Sequence, residues 1–370
     1  MGEKNRQFLE LLKKPGNDKC VDCSSKSVEY ASYNMGVFLC PTCAGLHRGL
    51  GVHLSKVKHL KLDHWEDSQI RRLEEVGNIN ANRKYEERVP ACYRRPGEGD
   101  SSVLRDQWIR AKYEREEFIY PEKQVYRRGF MEGYLMKRGK DGDQCKSRRF
   151  VLQESEDSLK YFIKERKEPK TVVRISTLNV YFAPEKIGIP TSLQFTFPHG
   201  STTRHIYVYH ESAETIVQWY MALRCAKLNR LMVAYPSASE YILAENVMHD
   251  FLKEGWLTKS GPKQSDGYRK RWFSLDRRRL MYHESKLEPV PKGEIFLGHR
   301  SEGFFLRLGS PSGFKEVGFS FTLTTPDRQY LLSSEKDEDR SQWMRWIDYV
   351  IDREITFEDS ILWDKIRRRN

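Results

Sequence analysis

The strongest constraint on how this 370-residue chain folds is a pattern written twice. Gly133-Tyr-Leu-Met-Lys137 returns as Gly255-Trp-Leu-Thr-Lys259, 122 residues later. Each copy passes through a short polar loop into a basic strand, Lys146-Ser-Arg-Arg-Phe-Val-Leu152 or Arg269-Lys-Arg-Trp-Phe-Ser-Leu275. A third strand follows, Leu159-Lys-Tyr-Phe162 or Leu280-Met-Tyr-His283, and alternating or aromatic-rich runs such as Gln194–Phe197, Ile206–Tyr209 and Phe319–Leu323 read as further strands. Each copy closes on apolar residues at i, i+3, i+4 and i+7, the period of an amphipathic helix: Ile216, Trp219, Tyr220 and Leu223, then Trp343, Trp346, Ile347 and Val350. From opening glycine to helix tryptophan the distances are 86 and 88 residues. Residues 129 to 356 are therefore expected to hold two domains of one fold, each with about seven strands and one terminal helix.

Ahead of the repeat, Cys20, Cys23, Cys40 and Cys43 form a C-x2-C, sixteen residues, C-x2-C array. Each pair offers two thiolates from one tight turn, and the loop between the pairs lets them close on a tetrahedral zinc ion. Four thiolates leave no position for water or substrate. One structural zinc per chain is expected, with any chemistry supplied by a group that the metal positions. Arg48, five residues after Cys43, is the candidate. GATA-type factors use nearly the same cysteine spacing, so spacing alone leaves nucleic-acid binding open. The continuation separates the two: GATA-type fingers go on with an Asn-Ala-Cys helix and a basic tail, whereas this chain reads Ala44-Gly-Leu-His-Arg48.

The run Cys40-Pro-Thr-Cys43-Ala-Gly-Leu-His-Arg48, with Ser55-Lys-Val-Lys after it, resembles the Arf GTPase-activating (ArfGAP) family. The likeness extends upstream through Tyr30–Leu39 and downstream through Leu62-Asp-His-Trp65, Gly77-Asn78, Asn82 and Trp108–Tyr113. Tyr30 stands where the family usually has tryptophan, and Ala44 where serine is common. The resemblance implies that Arg48 acts as an arginine finger, entering the partner GTPase to stabilise charge on the transferring phosphoryl group. Such fingers supply roughly 10³ to 10⁵ in rate.

Each repeat resembles the pleckstrin homology (PH) fold, a seven-stranded antiparallel barrel capped by a C-terminal helix that carries a tryptophan. Trp219 and Trp343 are expected to be core residues. In PH domains that bind 3-phosphorylated inositides, basic residues on the first two strands surround the phosphates. The resemblance assigns that role to Lys137, Lys146, Arg148, Tyr161 and Lys170 in the first copy, and to Lys259, Arg269, Arg271, Tyr282 and Lys292 in the second. Period-two spacing puts Lys146 with Arg148, and Arg269 with Arg271, on one side of their strands.

A formal net charge of +12 calls for anionic partners: nucleic acid, phosphoinositides or an acidic protein face. The three remaining cysteines, Cys92, Cys145 and Cys225, are odd in number and widely spread, so no disulfide framework is suggested and a reducing cytosolic setting is expected. No apolar run approaches the ~20 residues of a membrane span, and Met1–Arg6 lacks the apolar core of a signal peptide. Arg6 at the sixth position argues against myristoylation at Gly2. Residues 95–128 join the first domain to the repeat, with Asp100 or Ser101 placed to cap a helix that ends near Phe118.

The fold expected is multidomain α+β: an ArfGAP zinc-finger domain (1–125), a first PH domain (129–232), a second (252–356) and a short charged tail (357–370). The whole resembles the ArfGAP proteins with dual PH domains, also called alpha-centaurins. The resemblance implies a GTPase activator, itself no enzyme, acting in trans on a GTP-bound Arf-family protein. Its expected partners are phosphoinositide membranes and soluble inositol phosphates such as the tetrakisphosphate, with no nucleic acid; its expected place is the cytoplasm, with recruitment to the plasma membrane. The alternatives are a phosphoinositide-binding adaptor without GTPase activation and, behind it, a GATA-like nucleic-acid-binding zinc finger.

Overall fold

The computed structural model describes residues 3–139, 144–164, 166–261, 266–356, 359, 362, 363 and 366. The first domain is built of short elements: helix α1 (Glu3–Lys13), strands β1 (Tyr30–Ser32) and β2 (Val37–Leu39), helix α2 (Pro41–Gly49), strand β3 (Val57–His59), and helices α3 (Asp67–Glu75), α4 (Gly77–Tyr85) and α5 (Ser102–Ile109). The strands pair antiparallel in the order β2-β1-β3. Side-chain alternation gives this small sheet two buried faces. Ala31 and Phe38 pack with Phe8 and Leu11 of α1, Ile70 and Leu73 of α3, and Trp65 just before α3 on one face. Val37 and Leu39 join the core that contains the four cysteines and Trp108 on the other.

Helix α5 departs from expectation at both ends. Ser101 is its N-cap but makes no side-chain cap bond, and the Asp100 carboxylate instead accepts from the backbone of Gly97 and from Arg94. The helix stops at Ile109 and widens into a π-type turn, Arg110–Glu114, well short of Phe118. From that turn Lys112 and Tyr113 both reach Asp22, so the register shift serves a buried contact rather than continuing the helix.

The first repeat contains β4 (Phe130–Arg138), β5 (Cys145–Gln153), β6 (Ser158–Phe162), β7 (Thr171–Arg174), β8 (Asn179–Phe182), α6 (Pro184–Ile187), β9 (Ser192–His199), β10 (Thr202–Tyr209) and α7 (Ala213–Ala234). After α8 (Glu240–Glu245), the second contains β11 (Lys253–Lys259), β12 (Arg269–Leu275), β13 (Arg279–His283), β14 (Gly293–Phe296), β15 (Phe305–Leu308), β16 (Phe319–Thr324), β17 (Gln329–Ser334) and α9 (Asp337–Ile351). Both are seven-stranded antiparallel sheets of the same order, β7-β6-β5-β4-β10-β9-β8 and β14-β13-β12-β11-β17-β16-β15. The glycines that open the repeats have the same neighbour. A Cβ on Gly133 or Gly255 would lie 3.6 Å from the indole of Trp219 or Trp343, so a side chain larger than methyl would strike the ring. Both tryptophans are buried, as the sequence leads one to expect. Beyond α9, Trp363 stacks on Phe296 and Ile366 is buried, which extends the second core into the tail.

The two closing helices differ in one respect that the repeat does not foretell. Helix α9 buries one face, whereas α7 buries Ile216, Val217, Trp219, Tyr220, Met221, Ala222, Leu223, Arg224, Cys225, Ala226 and Leu228, residues from every side. Its second face packs on the first domain, and the cores of the two domains are continuous. The sequence suggests no disulfide, yet Cys92 and Cys225 are bonded across this junction, 133 residues apart. Two cysteines in different domains carry no spacing signal; only the docking of α7 brings them together. Arg224, also buried, donates from Nε to the Cys92 carbonyl (2.9 Å) and from Nη2 to the Ala244 carbonyl (3.2 Å). Arg94 donates to the Tyr220 hydroxyl (3.2 Å) and to both oxygens of Asp250 (3.0 and 2.6 Å).

The shared core of the first domain and first repeat, and the separate core of the second repeat, set the unfolding units. Truncating a buried tryptophan costs about 3–5 kcal/mol. Trp343→Ala is expected to lower one calorimetric transition by on the order of 10 °C and leave the other in place. Trp219→Ala is expected to lower the other, with zinc released in that same transition, as followed by a chromogenic chelator.

Candidate functional site

The four thiols meet at one point. Their Sγ atoms lie within 4.8 Å of one another, all four residues are buried, and Cys23 and Cys40 approach to 3.6 Å. A tetrahedral ZnS₄ centre with bonds of ~2.3 Å has edges of about 3.8 Å, so this constellation fits zinc. Cys40 is also the N-cap of α2, its Sγ accepting from the Cys43 backbone (3.4 Å), with Pro41 at the first helical position. The second knuckle and the start of α2 are therefore one piece. A bound ion supplies a cross-link between the two knuckles and leaves the helix to present its residues.

Behind the cysteines lies a charged network that the sequence reading did not single out. Asp22 sits between Cys20 and Cys23, and its Oδ2 accepts from His47 Nε2 (3.0 Å) while its Oδ1 accepts from Lys112 Nζ (3.0 Å) and the Tyr113 hydroxyl (3.1 Å). The other His47 nitrogen, Nδ1, lies 2.9 Å from the Ser55 hydroxyl. Lys112 also bonds Asn82 Oδ1 (2.7 Å) and Glu86 (2.8 Å). Burial pushes the Asp22 carboxyl up, but Lys112 and His47 outweigh it and hold the group below its ordinary range. The network fastens the first knuckle to α2 at the residue before Arg48. An aspartate between two cysteines and a lysine in an apolar helical run were its signals in the sequence.

Arg48 itself is exposed in the last turn of α2, where the free carbonyls favour a cation. Its guanidinium carbon lies 5.1 Å from the centre of the Tyr30 ring, and it forms no ion pair among the described residues. Tyr30 thus takes the place of the family's tryptophan as a flat face under the arginine, packed edge-on against His59 at 4.8 Å.

The residues assigned in the second repeat, Lys259, Arg269, Arg271, Tyr282 and Lys292, line one cavity of about 530 Å³, with Asp266 and Glu284 among them. Lys259 pairs across the strands with Arg269 and stands 5.0 Å over the Tyr282 ring. The Lys292 backbone donates to the Tyr282 carbonyl (2.8 Å), and its ammonium meets Glu284 at 3.0 Å, which holds that carboxyl below its usual range. The first repeat reproduces the frame. Lys137 pairs with Lys146 and stands 5.4 Å over Tyr161, Arg148 lies two residues along β5 from Lys146, and Lys170 donates from its backbone to the Tyr161 carbonyl (2.9 Å).

Each set has one further arginine that the sequence reading missed. Lys137 faces Val208 and Lys259 faces Leu332 in the seventh strands, and four residues before these lie Arg204 and Arg328. Burial first, then Arg204 and Arg148, bring the Lys137 ammonium down to about 8. Burial, Arg328, Arg271 and Arg269 lower that of Lys259. The cations that act on each lysine in this way are Arg204 and Arg148 in the first domain and Arg328, Arg271 and Arg269 in the second.

Comparison with known proteins agrees with this architecture. The family model "Putative GTPase activating protein for Arf" matches residues 5–122, and the PH domain model matches residues 129–227 and 251–352. Arf-GAP with dual PH domain-containing protein 2 of Homo sapiens is 40% identical over 366 residues, covering 96% of each chain. Its Mus musculus counterpart is 41% identical over 93% of each. The mouse stromal membrane-associated protein 1 is 43% identical over 119 residues, 32% of this chain and 26% of its own. The chain belongs to the Arf GTPase-activating proteins with dual PH domains. It is an Arf GTPase activator in class, its PH domains imply phospholipid or inositol phosphate binding and suggest membrane recruitment, and no helix of the described residues is long and apolar enough to cross a membrane.

Lys112→Ala tests the buried network. It removes the buried cation that Asp22 and Glu86 share, leaving them only His47 and Arg95 as ion-pair partners, so a loss of up to about 3–5 kcal/mol is expected for the first domain in urea unfolding.

Proposed function

We propose that this protein binds GTP-loaded Arf protein and inserts Arg48 as an arginine finger, after phosphoinositides have brought it from the cytoplasm to the plasma membrane. The reading rests above all on Arg48: a permanently charged, planar side chain, exposed at the end of the helix that Cys40 caps, and held by a ring rather than by an acid. An arginine so placed keeps its charge free for phosphate oxygens that arrive with a partner. The zinc stays structural, and the activator consumes no substrate of its own.

The two cation clusters supply the address. Each gathers a lysine, two strand cations, a tyrosine and a connecting lysine, a set suited to the vicinal phosphates of phosphatidylinositol trisphosphate and of soluble inositol tetrakisphosphate. Two sites engaging one bilayer raise avidity by roughly 10² to 10⁴ over one. The soluble headgroup competes for the same cations and so opposes recruitment.

Arg48→Lys keeps the charge and loses the fork. Single-turnover GTP hydrolysis by Arf protein is expected to fall by roughly 10³-fold, with vesicle co-sedimentation unchanged. Retained activity would favour an adaptor over an activator. A second expectation concerns pH. With the second site silenced by Arg271→Ala, binding of inositol tetrakisphosphate at the first depends on Lys137 being charged. Its affinity should therefore be full below pH 8 and decline as pH rises through about 8, measured by calorimetry. Arg148→Ala added to Arg271→Ala should abolish binding.

A further inference from the structure

Two cations of the first cluster, Lys137 and Arg204, line a cavity whose far side belongs to the second PH domain. Strands β4 and β10 pair only at Lys137–Val208 and Met136–Tyr209 and then diverge, which leaves the first half of β10 with an open edge. Backbone groups on such an edge need partners from elsewhere. They find them in the β13–β14 connection, which leaves the second basic cluster at Glu284 and returns to it at Lys292. His205 donates its backbone N–H to the Pro289 carbonyl (2.7 Å). The Tyr207 hydroxyl lies 3.4 Å from the Lys286 and Glu288 carbonyls, and Arg138 Nη1 donates to the Leu287 carbonyl (3.3 Å). The strands flanking the connection are tied down too. Thr203 donates its N–H and hydroxyl to Glu294 (2.8 and 3.1 Å), and the buried His205 and His283 meet at Nε2 (3.1 Å).

This docking encloses a cavity of about 220 Å³ with Lys137, Arg138, His199 and Arg204 on one side and the side chains of Leu287, Pro289 and Val290 on the other. Among the described residues, no acidic side chain lines it. The equivalent edge in the second domain starts at the same register, Lys259–Leu332, yet its cluster opens into a cavity formed by that domain alone, with Glu284 inside it. Two clusters built from the same frame are therefore bounded differently.

We propose that the 285–291 connection of the second PH domain is part of the first domain's anion site, so that a polyphosphorylated inositol headgroup there is bound by cations of one domain against an apolar wall, Val290 included, lent by the other. The inference rests on the reading that the first cluster is a headgroup site. It makes Val290, a residue of the second domain, part of the lining of the first site, where an introduced charge would act on the bound anion.

The test uses the full chain with Arg271→Ala, which isolates the first site, and probes it with soluble inositol tetrakisphosphate by calorimetry and with vesicles containing phosphatidylinositol trisphosphate by co-sedimentation. Val290→Lys adds a cation beside the cluster and Val290→Glu an anion, on a half-buried side chain whose effect on folding is followed by the melting temperature. A charge at this range in a partly exposed site is worth about tenfold in affinity. Val290→Lys is expected to strengthen binding about tenfold in both arms and Val290→Glu to weaken it as much. In the Arg148→Ala background, which isolates the second site, neither change should matter. Equal shifts in both backgrounds would show a long-range charge effect and overturn the proposal, as would indifference to Val290 in a protein that still binds. Shifts on vesicles alone would mean that Val290 touches the bilayer and not the headgroup, which also overturns it. If Arg271→Ala binds neither probe, the headgroup reading of the first cluster has failed, and the wall falls with it. Tyr207→Phe, which frees the connection without adding charge, should weaken only the first site; unchanged binding there would count against the wall.

Discussion

Helix α7 is the part on which the arrangement of the molecule depends, because it is buried on both sides. Toward its own sheet it presents Trp219 and Leu223, and toward the first domain Tyr220, Arg224 and Cys225. A PH helix with one solvated face would leave the ArfGAP domain on a tether. Here the Arg94–Asp250 pair and the Arg224 bonds to Cys92 and Ala244 draw the start of the second PH domain into the same junction. These charge-assisted bonds, of which those of Arg224 are buried, are directional, so they fix orientation as well as proximity. The distance and angle between Arg48 and the two cation clusters then become properties of the fold.

Within the first domain a second fixed relation holds. The zinc knuckles cannot move independently of α2, since Cys40 both belongs to the metal set and caps the helix. Nor can α2 turn about its axis, because His47 is held from opposite sides by Asp22 and Ser55. Arg48 is the next residue, so its Cα position is determined while its side chain remains at the surface. Only the guanidinium has freedom, and the Tyr30 face limits that. Pre-ordering of this kind lowers the cost of ordering a long side chain when the partner arrives.

What the sequence disclosed, and what it withheld, divides along the length scale of the interaction. The zinc array, the strand cations and the opening glycines are local in sequence, and each stands where spacing puts it. The glycine–tryptophan contact was legible as well, since the repeat preserves both ends of it. Arg204 and Arg328 were hidden by drift in the repeat. The glycines are offset by 122 residues, but these arginines, like the tryptophans, are offset by 124, so they align only once a two-residue insertion is placed. The Cys92–Cys225 bond, the two-sided burial of α7 and the docking of 285–291 on β10 left no trace in spacing, because they join separate domains. The π-type turn at 110–114 was missed because Lys112 reads as a surface residue until Asp22 is seen beneath it.

The duplicated domain has been put to two uses by small differences at one edge. In the first copy the first and seventh strands part just beyond Lys137, whereas in the second the bond from the Ser260 N–H to the Leu331 carbonyl (3.2 Å) carries the pairing one residue past Lys259. In the first copy that edge is filled by the neighbouring domain, which excludes water from one side of the cations and raises the strength of any charge interaction made there. In the second the cluster stays open and holds Glu284, whose pairing with Lys292 an incoming anion has to displace. On the proposed reading, a polyanion meets in one domain a site with an apolar wall and no acid among its described lining residues, and in the other an open site that holds Glu284 and Asp266. Equal affinities would require these differences to cancel, so the physical expectation from a common frame is two sites of unequal strength, with the stronger one dependent on both domains being present.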